Sequence, residues 1–148
     1  MLMNLATGFL VMILCLILQT FLIAAAWHYY VKHSSDIDSP SLIATLKIVS
    51  IVMLLLVLGN LGQIAVWALL FQALGEFTQF AEAFYHSAVN FSTLGYGDVV
   101  MSDQNKLLGP LEAINGILMV GVSTAVLLST FQNAIKRTLQ ARSGSVDG

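Results

Sequence analysis

Thr93-Leu94-Gly95-Tyr96-Gly97-Asp98 is the stretch on which the reading of this chain turns. It is short, it interleaves glycine with larger residues, and it lies between two long apolar segments at 42–74 and 107–136. In an ordinary extended strand successive carbonyls point to opposite sides. A run that aims them all at one line needs some residues at positive φ, and Gly95 and Gly97 reach that region at the least steric cost.

The six residues resemble the selectivity-filter signature of the potassium channel family, T-V-G-Y-G-D, with Leu94 where valine is usual and the other five positions in agreement. The potassium filter is itself the standard instance of backbone carbonyls replacing an ion's hydration shell, so what the sequence supplies is the match to it. The resemblance implies that Thr93, Leu94, Gly95, Tyr96 and Gly97 hold K+ through their carbonyls, with the Thr93 hydroxyl below them. Leu94 and Tyr96 would turn outward and pack behind the lining. One chain supplies one wall, so the resemblance also implies a homotetramer with K+ as permeant ligand and no other cofactor. G-Y-G alone occurs in many ordinary loops; the segments around it carry the distinction.

Composition sets the environment. Of 148 residues, 57% are hydrophobic and only 9% charged, with a mean hydropathy of +0.84, values outside the range of soluble domains. The expected class is an all-α membrane protein with three transmembrane helices, a re-entrant pore helix and a filter loop. A net charge of −2 argues for neither nucleic acid nor an acidic partner. The single Cys15 excludes a disulfide framework and a Cys/His metal pattern, and reads as a packing or lipid-facing residue. No spanning segment joins a nucleophile to a base, so no enzyme and no small-molecule substrate is expected.

Just before the signature, 80–92 reads as a helix too short to span a bilayer but suited to re-entry, a form tolerated at depth only where protein buries it. Its C-terminus would point partial negative charge at a waiting cation. Many family members carry tryptophans here, whereas this chain has Tyr85 and His86; Tyr85 can still reach Asp98 and brace the filter. Val89 stands where some members place a glutamate that pairs with the Asp98 position. Asn90-Phe91-Ser92 forms a glycosylation sequon that burial should silence.

After the filter, 99–106 reads as a polar turn and 107–136 as the inner helix, with Pro110 in its first turn where a missing amide hydrogen is harmless. Gly116 and Gly121 are candidate flex points. Resemblance to the family's inner helix favours Gly121 as the hinge, which puts Val122, Val126, Ser129 and Asn133 on one stripe facing the pore; ordinary helix packing is the competing reading. Glu112 lies inside this segment, where a charge costs about 2.5 to 3.5 kcal/mol at the bilayer centre. It should be paired, neutral or near the surface, with His86 or Gln63 as partner and either a structural or a proton-sensing role.

Toward the N-terminus, 42–74 is the outer helix, in which Asn60 and Gln63 beside Gly59 and Gly62 read as packing contacts. A polar connection at 32–41 contains Ser39-Pro40-Ser41, a helix stop and new N-cap. Residues 1–31 form an extra helix, with a signal peptide as the competing interpretation of Ala24-Ala25-Ala26. Trp27, Tyr29 and Tyr30 read as interfacial anchors. The extra helix is expected to pack against the outer helix, at the periphery.

Lys32, Lys47, Lys136, Arg137 and Arg142 share one side if the chain crosses three times, leaving Lys106 opposite. The positive-inside rule then puts the N-terminus outside and the C-terminus in the cytoplasm of a cell-membrane protein. The stretch 137–148 reads as a short cytoplasmic tail, disordered over 141–148. The first helix has no voltage-sensor repeat of Arg or Lys. Gating is therefore assigned to the filter, inner helix, lipid, tension or pH. A weakly selective cation pore and a non-conducting accessory subunit are the alternatives.

Overall fold

A computed structural model describes residues 2–33 and 42–144. Its four helices are α1 (Leu2–Lys32), α2 (Leu42–Ala73), α3 (Phe80–Phe91) and α4 (Leu108–Gly144), with no strand among the described residues. Three of them, α1, α2 and α4, are long and apolar enough to cross a membrane. The chain is an all-α membrane protein. The connection centred on Ser39-Pro40-Ser41 lies outside the described residues.

Helix packing falls into two units, and α1, α2 and α4 each contribute to both. The first unit comprises Met1–Gln19 and Gly59–Gly121. Its core joins Val11 and Cys15 of α1, Trp67 and Phe71 of α2, Phe91 of α3, and Leu108 and Met119 of α4. Within this unit the buried residues of α1 are Asn4, Gly8, Val11, Cys15 and Gln19, a stripe at helical spacing. Gly8 is there because α4 comes close: a Cβ on it would lie 2.6 Å from Leu111 Cδ1. Asn4 Nδ2 donates to Gln104 O at 2.6 Å, and Gln63 Nε2 donates to Gln19 Oε1 at 2.7 Å. The extra helix is thus no peripheral appendage to the outer helix alone; it also grips the start of α4 and the turn before it.

The second unit comprises Thr20–Leu58 and Val122–Gly148. Ala26, Tyr30, Ile48, Val52, Leu56 and Ala134 form its core, and Thr45 and Thr138 share a buried hydrogen bond of 2.7 Å. Tyr30, expected as an interfacial anchor, is a core residue instead, whereas Trp27 is exposed. The helix expected to end at 136 continues to Gly144, since Leu139, Gln140, Ala141 and Arg142 are good helix formers; this corrects the reading of 141–144 as disordered.

The end of α2 sets the direction of α3. Gly75 takes φ 77°, Gly75 N–H bonds Gln72 O and Glu76 N–H bonds Phe71 O. This paired termination turns the chain sharply toward α3.

Candidate functional site

The end of α3 repeats that termination with a side chain that resists it. Leu94 N–H bonds Val89 O and Thr93 N–H bonds Asn90 O, both at 2.9 Å, so Thr93 occupies the left-handed position usually given to glycine. Its φ is 59°, and among the described residues it is alone of the non-glycines in having positive φ. For a β-branched residue that conformation costs on the order of 1–3 kcal/mol, a strain that clusters at functional sites. Gly95 follows at φ 63° and Gly97 at 73°. Every second residue of 93–97 is therefore left-handed, the alternation that turns successive carbonyls toward one edge.

The side chains between them turn away from their own chain. Leu94 is 54% and Tyr96 66% exposed, so more than half of each side chain is left uncovered by its own molecule.

Behind this loop, α3 holds the residues just beyond the filter. Tyr85 Oη donates to Asp98 Oδ2 at 2.7 Å, and Asp98 Oδ1 accepts from Val99 N–H at 3.1 Å. The Tyr85 bond is the main cause holding the Asp98 carboxyl below the usual carboxylate range. One residue along, His86 Nδ1 meets Val99 O at 2.9 Å and its Nε2 meets Asn90 Nδ2 at 2.9 Å. A carbonyl only accepts and an amide nitrogen only donates, which fixes a neutral imidazole with its hydrogen on Nδ1. Phe71 and Phe77 pack their rings against it at 5.5 and 5.1 Å. Asn90 of the sequon is spent on this contact.

The turn at 102–105 has its own anchor, in a residue that the sequence alone marks only as part of a polar break. Glu76 Oε2 accepts from Ser102 N–H at 2.7 Å, and Oε1 accepts from Ser102 Oγ and Asn105 Nδ2, both at 2.6 Å. Burial pulls the Glu76 carboxyl upward, but these donors outweigh it and hold it below its ordinary value. The available signal was a carboxylate just after a C-terminal glycine, facing a polar turn in need of an acceptor.

Glu112 takes no part in those braces. Its partner is neither His86 nor Gln63, as expected, but Ser87, whose Oγ contacts Glu112 Oε1 and also donates to Ile64 O at 2.8 Å. His86 points instead to the loop and Gln63 to α1, because consecutive helical positions face different sides. One turn on, Gly116 lets α4 press against the end of α3: an added Cβ would collide with Phe91 O and lie 2.8 Å from the carbonyl carbon behind it. Gly116 is thus a contact glycine and not a flex point, whereas Gly121 has open space around it. Of the stripe expected to line a pore, Val122, Ser129 and Asn133 are exposed, and Val126 packs partly against the second unit's core.

A family model described as "Ion channel" matches residues 55–133. Similar over 75 residues, 45% of the chain, are the potassium voltage-gated channel protein Shal of Drosophila melanogaster at 32% identity and the A-type voltage-gated potassium channel KCND3 of Homo sapiens and Rattus norvegicus at 31%. The matched stretch spans only 13% of the first and 12% of the other two. No solved structure matches the chain.

Proposed function

The chain belongs to the ion channel family, and on that footing we propose that four copies surround one axis and conduct K+ passively, each lining it with the carbonyls of Thr93, Leu94, Gly95, Tyr96 and Gly97. The alternation of left-handed backbone at 93, 95 and 97 carries this reading. A stretch held in that conformation, with a β-branched residue among the strained positions, suits a carbonyl lining and little else. The outward-facing Leu94 and Tyr96 fit it too, since in a ring of four their apolar surfaces are covered by neighbouring copies. The relatives are named as potassium channels, which agrees with the glycine-tyrosine-glycine pattern.

On this reading Tyr85, His86 and Asp98 brace the loop, and Gly121 with Val122, Ser129 and Asn133 belongs to the cavity below it. Asn4 bonds Gln104, so the start of α1 and the turn after the filter lie at one end of their unit. That supports an outer N-terminus and a cytoplasmic C-terminus. Replacement of the family's tryptophan–carboxylate bracing by single bonds from Tyr85 and His86 favours a second reading, a pore only weakly selective among monovalent cations.

The test is ion flux from proteoliposomes loaded with K+ or Na+. Rapid K+ release, slow Na+ release and loss of both in Gly97→Ala are expected. Equal release of the two ions supports the second reading, and no release of either removes both.

A further inference from the structure

The contact between Glu112 and Ser87 contains a count of hydrogens. Ser87 Oγ has two oxygen neighbours besides its own chain, Ile64 O and Glu112 Oε1, and one hydrogen to give. A carbonyl oxygen only accepts, so the 2.8 Å contact to Ile64 O takes that hydrogen. The contact to Glu112 then needs a hydrogen from the carboxyl. We propose that Glu112 is held as a neutral carboxylic acid donating to Ser87 Oγ, so that a single removable proton joins α3, the helix that ends in the filter, to α4.

The surroundings agree. Glu112 is fully buried, and among the described residues it forms no ion pair, so no cation compensates a carboxylate there. A carboxylate would leave two lone-pair-rich oxygens buried with no compensating cation, whereas the acid leaves only Oε2 without a donor. The groups facing Glu112 are neutral: Ser87 and Asn90 of α3, and Cys15 of α1, the one titratable group among them, whose own neighbours are Trp67 of α2 and Asn115 of α4.

Glu112 is in this scheme a positioning residue, acting on the filter through Ser87 and α3. Loss of the Glu112 proton at alkaline pH leaves a buried charge facing a hydroxyl already committed elsewhere, and α3 loses this bond to α4. Glutamine at 112 can donate the same hydrogen through its amide and cannot titrate. Leucine can do neither.

One test of this proposal is independent of conduction, and the other rests on it. Infrared difference spectra of the full chain in liposomes, wild type against Glu112→Gln at neutral pH, should show the carbonyl stretch of a protonated carboxyl only in the wild type, disappearing reversibly as pH rises. Carboxylate bands in its place at neutral pH overturn the proposal, whether or not the protein conducts. In K+ flux, the wild type should lose activity on the alkaline side, Glu112→Gln should keep it, Glu112→Leu should be low throughout, and Cys15→Ala should follow the wild type. A Glu112→Gln profile that falls like the wild type also overturns it.

Discussion

Thr93 concentrates two demands in one residue: a left-handed backbone that favours glycine, and a hydroxyl that glycine lacks. Thr93→Gly should therefore leave thermal stability unchanged or raise it by about 1 kcal/mol, while selectivity for K+ over Na+ falls. A clear drop in melting temperature would show that the threonine is there for packing. Glu76 carries a pH dependence of known sign. Its carboxyl is held below its ordinary value by Ser102 and Asn105, so its hold on the turn is complete above the usual glutamate range and is lost as pH falls through the lowered value. The protection factor of the Ser102 amide, the exchange rate of an unprotected amide at the same pH divided by its own, should fall on acidification in the wild type and be low throughout that range in Glu76→Leu. Tyr85→Phe removes one exposed donor to Asp98, and a small loss of stability is expected by chemical denaturation.

Among helices, contacts sort the glycines. At Gly116 an added methyl would meet the Phe91 backbone, which cannot move aside without shifting α3. Gly116→Ala should cost at least the roughly 1–3 kcal/mol of core overpacking and displace the filter with the helix that carries it. Gly8→Ala meets the side chains of two leucines, Leu111 and Leu108, and Gly121→Ala meets nothing. The first should be mild, and the second should gain up to about 1 kcal/mol from helix propensity. Melting of the three purified variants ranks them; a Gly116→Ala protein as stable as Gly121→Ala would refute the close α3–α4 contact. Helix positions were legible in the sequence because apolar length and a few breaks at Gly75, Ser92 and Pro110 define them. Partners of individual polar residues were not. Glu112 stands out in the sequence as a buried group needing an explanation, yet its partner depends on the rotation of α3 about its axis, which sequence does not reveal, so His86 and Gln63 were expected where Ser87 is found.

For the molecule as a whole, the membrane class and the filter signature were legible because each rests on local chemistry: hydropathy in one case, six consecutive residues in the other. The role of α1 was less so. Its stripe of Asn4, Gly8, Val11, Cys15 and Gln19 has helical spacing, but amid so much leucine and isoleucine it did not stand out, and only contacts with Leu111, Gln104 and Gln63 show that it faces protein. A chain in which Leu94 and Tyr96 stand uncovered, while its backbone is strained to present carbonyls, makes structural sense as one quarter of a ring around an ion. The most direct measurement is the reversal potential of the reconstituted protein with K+ on one side of a planar bilayer and Na+ on the other. A potential driven far toward that of a K+ electrode is expected, and one near zero, with current flowing, would contradict selective conduction through this filter.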